Sequence, residues 1–474
     1  MTGTADSENI PYRFEQTASA AEVVARWDRL ASGEESGEVV SVAGRVMRSR
    51  PQGRLAFAEL RDSSGAVQLF ALDKVTRDFD VFVKLKLGDW VGARGEVVRT
   101  KRGELSVKVD EWVLLAEARR SFGDKWRGVT DVETRYRQRE VDLWANPGSR
   151  RSLLLRSQLV RRMRERLWDQ GFVEVETPIL HPIPGGAHAR PFVTHHNALD
   201  VDFYLRVAPE LYLKRLTIGG FEKVFEIGRL FRNEGMSPRH NPEFTTLELY
   251  QAYVDYFDIM ELVENLVSGL AIDLCGSTSV TYQGRVIEFA PPWRRAPMTE
   301  LVEEAIGKPV SVHTDREELA GIASGHGIEV QAGWGTGKIL LELYEKTTEA
   351  GLWGPVFVLD YPAEVSPLAR RHRADPLLSE RFEALVAGRE IANAFSELVD
   401  PDDQRARFEE QASQRAAGDE EAMLVDEEYL RALEHGLPPT GGLGVGIDRL
   451  AMFFADVTNI REVITFPTMR PEAD

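Results

Sequence analysis

Arginines, acids and an aromatic ring are concentrated in one stretch, residues 225–253, which reads FEIGRLFRNEGMSPRHNPEFTTLELYQAY. β-Compatible runs at residues 223–231 and 244–253 flank a centre rich in Gly, Pro and Asn, which predicts an antiparallel hairpin around a polar loop. Guanidinium groups clamp phosphates and carboxylates at two points, an aromatic ring can stack on a base, and a glutamate can accept from an exocyclic amine. This combination indicates an ATP site that uses no phosphate-cradling glycine loop. Its members are Arg232, Glu234, Arg239, His240 and Phe244.

Three segments resemble the signature motifs of the class II aminoacyl-tRNA synthetases. They are GFVEVETP at residues 171–178 for motif 1, FRNEG…RHNPEFT…E within residues 225–253 for motif 2, and GGLGVGIDRL at residues 441–450 for motif 3. Four further segments look like the lysyl-tRNA synthetases of that class: TRYRQREVDL at 134–143, PGGAHARPF at 184–192, APELYLKRL at 208–216 and GREIANAFSEL at 388–398. The resemblance runs from about Val39 to the C-terminus. One motif alone is a weak signal, but several in the right order are specific.

The resemblance implies ATP-binding roles for residues of motifs 2 and 3. Arg232 is expected to bridge the α-phosphate and the substrate carboxylate, and Arg449 to hold the γ-phosphate, so these two are the predicted catalytic residues. Glu234 should accept from the adenine amine and Phe244 should stack on the ring. Without the resemblance, Phe244 reads as a core residue and His240 as a turn residue. The predicted ATP-binding residues are Arg232, Glu234, His240, Asn241, Phe244 and Arg449.

Lysine selection requires buried acids, because an ammonium in a pocket binds poorly unless it is paired. The resemblance implies that Glu397 pairs with the ε-ammonium, helped by the Tyr250 hydroxyl, and that Glu210 and the Gly186 carbonyl hold the α-amine. The predicted lysine-binding residues are Gly186, Glu210, Tyr250, Asn393, Phe395 and Glu397.

The implied reaction joins L-lysine to ATP, giving lysyl-adenylate and pyrophosphate, and then transfers lysine to the 3′ end of its tRNA. The lysine carboxylate is already a nucleophile at neutral pH, so the reaction needs cations around an in-line displacement and no general base. Carboxylates together with phosphate oxygens suit Mg²⁺. In the family the metal-binding positions are Glu383 and Glu390, and Glu248 is a candidate helper. From spacing alone, Glu383 could almost equally well be a solvent-exposed acid that binds no metal ion.

Five short strand-like runs between residues 39 and 115 predict a small barrel, with an OB-fold as the first choice and another small β-sandwich as the alternative. The family resemblance favours the OB barrel, which in these enzymes reads the anticodon by stacking and edge hydrogen bonds. Without the resemblance, Phe57 reads as a core residue. The predicted anticodon readers are Arg50, Phe57, Gln68 and Glu104.

The expected fold class is therefore α+β, an N-terminal five-stranded OB barrel followed by a class II catalytic domain on an antiparallel sheet with flanking helices. The expected boundaries are a tail at 1–37, the barrel at 38–118, a linker at 119–146 and the catalytic domain at 147–474. Apolar residues at helical spacing predict a helix over 151–170, followed by a strand in GFVEVETP. In class II enzymes this helix and strand form the dimer interface, so the resemblance implies a homodimer.

Composition limits the class of protein. The chain has 474 residues with 43% hydrophobic and 28% charged residues, which fits a multidomain globular protein. No apolar run is long enough to span a membrane, no secretory signal is evident, and Cys275 is the only cysteine, so a cytoplasmic location is expected. A formal net charge of −18 disfavours general nucleic-acid binding and predicts that tRNA contacts are confined to patches.

Two motif-like segments are set aside, and two positions depart from the family pattern. WGTGK at residues 334–338 lacks both the first glycine and the Ser or Thr of a P-loop, which predicts a helix start instead. Neighbouring residues on a strand point to opposite faces, so His195 and His196 are not expected to bind one metal ion. Val399 and His188 differ from the usual family residues and lie close to the predicted lysine pocket.

Three alternatives to tRNA lysylation stay open. An aspartyl- or asparaginyl-type synthetase shares the barrel and motifs, but it needs cationic or amide-specific contacts where Glu397 and Glu210 stand. A non-catalytic relative could lose Arg232 or Arg449, so the presence of both arginines disfavours that alternative. A lysyl-activating paralogue with a lipid or protein acceptor is expected to carry membrane spans or to lack the barrel.

Overall fold

The computed structural model describes residues 10–120 and 129–472, and the chain divides into two compact units, residues 1–130 and 131–474. The division falls inside the predicted linker of residues 119–146, whose second half forms two short helices of the larger unit. The boundaries expected for tail, barrel, linker and catalytic region otherwise stay predictions.

The smaller unit is a closed five-stranded barrel with short helices beside it. Its elements are α1 (Ala20–Trp27), β1 (Glu35–Gln52), β2 (Leu55–Arg61), β3 (Ala66–Leu72), α2 (Phe79–Phe82), β4 (Trp90–Arg99) and β5 (Leu105–Ala116). The strand order is β1-β2-β3-β5-β4, with only the β3–β5 pair parallel among these neighbours. The capping box of Ser19 and Glu22 starts α1, and Val23 and Trp27 of that helix pack into the barrel core.

The larger unit combines helices with an eight-stranded sheet. Its helices are α3 (Val132–Arg137), α4 (Arg139–Ala145), α5 (Pro147–Asp169), α6 (Glu210–Ile218), α7 (Tyr256–Cys275), α8 (Met298–Ile306), α9 (Arg316–Gly325), α10 (Thr336–Thr347), α11 (Pro401–Ala416), α12 (Glu427–Leu433) and α13 (Ile447–Ala455). Its strands are β6 (Val173–Glu174), β7 (Leu180–His181), β8 (Val193–His196), β9 (Val201–Leu205), β10 (Lys223–Phe231), β11 (Glu243–Ala252), β12 (Ser279–Tyr282), β13 (Arg285–Glu288), β14 (Arg294–Pro297), β15 (Val356–Leu359), β16 (Arg381–Val386), β17 (Arg389–Ser396) and β18 (Thr440–Gly446).

The main sheet has the order β14-β15-β16-β17-β18-β11-β10-β6. The six strands from β15 to β10 pair antiparallel, as predicted, whereas the edge strands β14 and β6 join in parallel. Helices α5, α7 and α13 contribute buried residues to the same core as the apolar residues of β11, β17 and β18. Since side chains alternate across a strand, the polar residues of these three strands lie on the opposite face.

The hairpin expected around the polar loop is confirmed, with β10 and β11 in register from Lys223–Gln251 to Phe231–Glu243. The strand expected in GFVEVETP is wrong in its extent, because only Val173 and Glu174 pair with β10 at the sheet edge. The helix expected over 151–170 is confirmed as part of α5.

The segments set aside as motifs have structural partners. Gly335 precedes α10, and its N–H and that of Gly337 each donate to the Glu364 carboxylate at 2.9 Å, so a side chain of the protein itself occupies this helix start. His195 pairs with Asp202, Nδ1 to Oδ1 at 2.8 Å. Among the described residues, no cluster of His, Cys, Asp and Glu has the arrangement of a metal site, and no helix is long and apolar enough to cross a bilayer.

Candidate active site

A cavity of about 200 Å³ lies on the polar face of the sheet, over β11, β17 and β18. Strand register builds its floor in rows: Asn393, Gly444 and Glu248 align across three strands, and Phe395, Gly442 and Tyr250 align in the next row. All predicted ATP, lysine and metal residues line this cavity except Glu383 and Glu397. The hairpin loop and the start of α13 close it on one side and α6 on the other. The sequence-predicted residues are thus brought together, while their roles stay predictions.

One end of the cavity carries guanidinium groups. Arg232 follows β10, and its carbon Cζ lies 5.2 Å from the centre of the Phe244 ring. Its buried Nε has no hydrogen-bond partner within residues 10–120 and 129–472. Burial lowers the pKa of Arg232, although nearby Glu234 opposes the change. An arginine still carries its charge at neutral pH, so this unpartnered donor is suited to an incoming anion.

Arg449 is already paired. Its Nη1 donates to the Glu390 carboxylate at 2.9 Å, and its Nη2 lies 3.3 Å from His240 Nε2. Burial and the charge of Arg449 lower the pKa of His240. Since an arginine can only donate, His240 accepts at Nε2 and carries its proton on Nδ1, which lies 2.9 Å from the Ser237 hydroxyl. The predicted γ-phosphate residue, one metal residue and the phosphate-loop histidine therefore form one chain of contacts.

The start of α13 is fixed by Asp448. Its two carboxylate oxygens accept from Arg156 Nε and from the Thr245 backbone N–H, each at 2.7 Å. Asp448 is 2% exposed, so the contact is protected from water. The hydrogen bond from Thr245 ties the helix that carries Arg449 to strand β11.

The opposite end of the cavity carries acids. Glu210 begins α6 and Glu397 follows β17, and both contact the ammonium of Lys214, with Glu210 Oε1 2.5 Å from Lys214 Nζ. The side chains of Lys214 and Glu397 are fully buried. Glu397 Oε1 has no hydrogen-bond partner in the described part of the chain and lies against Gly442 at the cavity floor. This end can receive a cation, whereas the Arg232 end can receive an anion.

Two glycines make room at the acidic end. Gly186 has φ +88°, and a Cβ there would lie 3.1 Å from the Ala208 Cβ and 3.3 Å from the Glu210 Cβ. A Cβ on Gly442 would clash with the Glu397 carboxylate and lie 2.7 Å from Tyr250 Cε1. Side chains at either position would close the cavity beside the acids.

Glu383 does not line the cavity, although it is aligned with Asn393 of the cavity floor on the neighbouring strand β16. Arg381 holds it, Nη2 to Oε1 at 2.7 Å, and the same guanidinium donates to Asn393 Oδ1 at 3.0 Å. Burial and the charge of Glu390 raise the pKa of Glu383 to about 7. Glu390 and Glu248 line the cavity and Glu383 interacts electrostatically with Glu390, so these acids offer oxygen donors, the type that Mg²⁺ takes together with phosphate oxygens and water. By themselves, the acids of the described part of the chain do not form a group of three that could hold a metal ion.

Sequence reasoning missed Lys214 and Arg381 and gave Glu248 only a helper role. Burial and then the charge of Glu210 raise the pKa of Glu248 to about 8. The available signal for Lys214 was its position four residues after Glu210 on one helix face. Arg381 lies two residues before Glu383, on the same strand face.

Of the two departures from the family pattern, His188 lies between two acids, with Nε2 3.0 Å from Asp419 and Nδ1 3.2 Å from Glu421. Val399 packs against the small apolar cluster around Leu368 and Phe408. Neither residue lines the cavity.

The barrel carries the predicted anticodon readers on its outer surface. Phe57 alternates with the buried Ala56 and Ala58, so it faces outward, and its ring stacks on Phe70 with centroids 5.1 Å apart. Arg50 is opposite Phe57 in the β1–β2 register. Gln68 donates to the Ser106 hydroxyl at 2.8 Å, and the Glu104 carbonyl accepts from the same hydroxyl at 3.2 Å. Phe70 was not predicted, and it extends the aromatic surface.

Comparison with known proteins agrees with both units. Residues 131–470 match the model of the tRNA synthetases of class II (D, K and N), and residues 40–115 match that of the OB-fold nucleic acid binding domain. The chain belongs to the class II tRNA synthetases. Among curated members of the family, a lysine–tRNA ligase of Prochlorococcus marinus (strain MIT 9303) is 53% identical over 98% of this chain and 94% of its own length. Lysine–tRNA ligases of Gloeobacter violaceus and Moorella thermoacetica are 52% and 50% identical over 98% and 97% of the chain and 95% and 94% of their own lengths.

Proposed function

We propose that this class II synthetase is a lysine–tRNA ligase, which activates L-lysine with ATP and transfers it to the 3′ end of its tRNA. The observation that carries the proposal is the pair of buried acids at the cavity end away from Arg232: Glu210 lines the cavity, Glu397 lies against Gly442 of its floor, and both carboxylates contact Lys214. A zwitterionic amino acid with a cationic side chain meets opposite charges at both ends only if it is oriented with its carboxylate toward Arg232.

In the first step the lysine carboxylate oxygen attacks the α-phosphorus of ATP, the bond to the β-phosphate oxygen breaks, and pyrophosphate leaves. No proton has to be removed from the nucleophile. Arg232 approaches both anions and reduces their repulsion, Phe244 stacks on adenine, and Glu234 accepts from its amine. Arg449 binds the γ-phosphate, and His240 and Asn241 line the phosphate path. Positioning and charge stabilisation supply the rate.

Mg²⁺ held by Glu383 and Glu390 would neutralise charge that develops on the phosphates. Glu390 pairs with Arg449 and Glu383 with Arg381, so nucleotide binding must exchange at least the first of these pairs. The acids stay in place because both lie on the rigid β16–β17 hairpin.

In the second step a ribose hydroxyl at the tRNA 3′ end attacks the lysyl carbonyl and AMP leaves. Anticodon reading is assigned to Arg50, Phe57, Gln68 and Glu104 on the outer face of the barrel, where stacking and edge hydrogen bonds can recognise single-stranded bases. This reaction is expected in the cytoplasm. A homodimer through α5 is proposed as well, supported by the exposure of Leu154 and Trp168 on that helix, 53% and 52%.

Lysine-dependent exchange of pyrophosphate into ATP tests the proposal, with aspartate, asparagine and ornithine as competing substrates. Exchange with lysine alone is the expected result. Exchange with aspartate or asparagine would instead support the other branches of the family, which the buried acids disfavour. Charging of purified tRNA with lysine then separates the ligase from a paralogue that loads another acceptor. Active exchange without tRNA charging would contradict the second half of the proposal.

A further inference from the structure

Lys214 has no role in the reaction described so far, yet it is the most completely enclosed charge beside the cavity. Its side chain is fully buried and does not line the cavity. Its Nζ contacts Glu210 on its own helix and Glu397 beyond β17, so it joins the two acids that are assigned to the two ends of the lysine substrate.

Aromatic residues enclose this ammonium. Nζ lies 5.6 Å from the centre of the Phe395 ring and 6.0 Å from that of Tyr250. Burial alone lowers the pKa of Lys214, but the charges of Glu210 and Glu397 outweigh it, and the pKa is raised. The ammonium therefore stays charged throughout the neutral range.

Stability alone explains this arrangement poorly, because apolar residues of similar volume commonly replace a buried ion pair without loss. The neighbourhood of Glu397 gives a better reason. The groups that face it are Lys214, Glu210, Glu248, Tyr250 and Tyr429. Among these, Lys214 is the only cation. Burial raises the pKa of Glu397 well above its usual range and the charges of Glu210 and Glu248 add to the rise, whereas Lys214 opposes it. Burial also raises the pKa of Glu210, against the charges of Lys214 and Arg381.

Without Lys214, two carboxylates in a dry site would retain a proton between them. A protonated carboxylic acid donates a hydrogen bond, so it would no longer attract the ammonium of a substrate. Building on the proposed lysine activation, we propose that Lys214 is a positioning residue that holds the Glu210 and Glu397 carboxylates in place and favours their ionised forms, and thereby sets the selectivity of the pocket for a cationic side chain.

The test compares lysine with L-norleucine, which has the same four-carbon side chain without the amine. The ratio of their kcat/KM values in pyrophosphate exchange is measured for wild type, Lys214→Met and Lys214→Gln. Both substrates are measured with the same protein preparation, so an inactive fraction lowers both kcat/KM values equally and leaves their ratio unchanged. Met keeps the volume without the charge, and Gln keeps a hydrogen-bond donor that helps the chain to fold. Both variants should lower the ratio by at least about tenfold, through KM for lysine, with KM for ATP unchanged.

The matched control is Lys338→Met, which removes another lysine from an i,i+4 pair, with Glu342 at 2.7 Å on α10 and away from the cavity. It should leave the ratio at the wild-type value. A wild-type ratio in Lys214→Gln would overturn the requirement for charge, and a wild-type ratio in both Lys214 variants would overturn the positioning role. Absence of lysine-dependent exchange in the wild type would instead overturn the proposed function, and this inference with it.

Discussion

The side chain of Glu397 should determine most of the preference for lysine, so the substitution Glu397→Gln is the most informative single change. The amide has nearly the shape of the carboxylate and carries no charge. Lys214 keeps its contact with Glu210 at 2.5 Å in the variant, and the fold therefore retains a partner for the buried ammonium. The substrate ammonium, by contrast, enters a pocket without its principal counter-charge.

The magnitude follows from burial. Glu397 is fully buried, so solvent screens the lost interaction little. Breaking such a pair costs about 3–5 kcal/mol, and each 1.4 kcal/mol is about tenfold, which gives a fall in kcat/KM for lysine of roughly two to three and a half orders of magnitude. KM for ATP should stay near its wild-type value, because Arg232 and Phe244 lie at the other end of the cavity.

Pyrophosphate exchange at saturating ATP over a lysine series is the assay, and Glu380→Gln is the control. Glu380 is also a buried carboxylate with a basic partner, Arg373 Nε at 2.5 Å, but it does not line the cavity. Its variant should lose thermal stability and keep kcat/KM for lysine within about threefold. If Glu397→Gln retained kcat/KM within tenfold of wild type, the assignment of Glu397 to the side-chain ammonium would be refuted.

Three other predictions concern separate parts of the molecule. An ionised Glu248 adds negative charge on the cavity wall that attracts the lysine ammonium groups, and its pKa is raised to about 8, so KM for lysine should fall as pH rises toward about 8 and level off above it. Glu248→Gln should flatten that profile, and an unchanged profile would contradict it. Phe57→Ala should raise KM for tRNA by about 5–100-fold, because one stacked base loses its aromatic partner. Pyrophosphate exchange, which needs no tRNA, should stay intact. Equal effects on tRNA charging and on exchange would refute the assignment of Phe57 to the anticodon. Asp448→Asn should lower the free energy of unfolding by about 3 kcal/mol in urea titration, because partly buried Arg156 loses its buried, charged partner, and a change below about 1 kcal/mol would contradict that pairing.

The sequence predicted the elements whose periodicity is strong. The β10–β11 hairpin was located to within a residue because its second strand alternates apolar and polar side chains around a loop of Gly, Pro and Asn. The strand at 173–174 was overestimated, because its residues look β-compatible over a longer stretch and only the register at the sheet edge limits their pairing. The outward direction of Phe57 could not be predicted, since alternation does not say which face of a barrel strand is inside.

The candidate site shows the same limit. Arg232, Arg449 and Glu397 could be located by resemblance, but the pairing of Arg449 with Glu390 depends on β17 and α13 meeting in space. Lys214 looks in sequence like a solvated i,i+4 partner of Glu210. It is buried because Glu397, Tyr250 and the α12 helix surround it, and these come from distant parts of the chain.

The charge separation along the cavity also explains why one set of side chains can both select and orient the substrate. Reversing a bound lysine would bring its carboxylate toward Glu397 and its side-chain ammonium toward Arg232, so both of the principal charge contacts would become repulsive. In a pocket with little water such contacts cost several kcal/mol each. In the proposed orientation the carboxylate would lie beside Arg232, whose Nε has no hydrogen-bond partner among the described residues, and would face the phosphorus that it attacks. Selection of the cationic side chain and alignment of the nucleophile are therefore consequences of the same two-ended charge distribution.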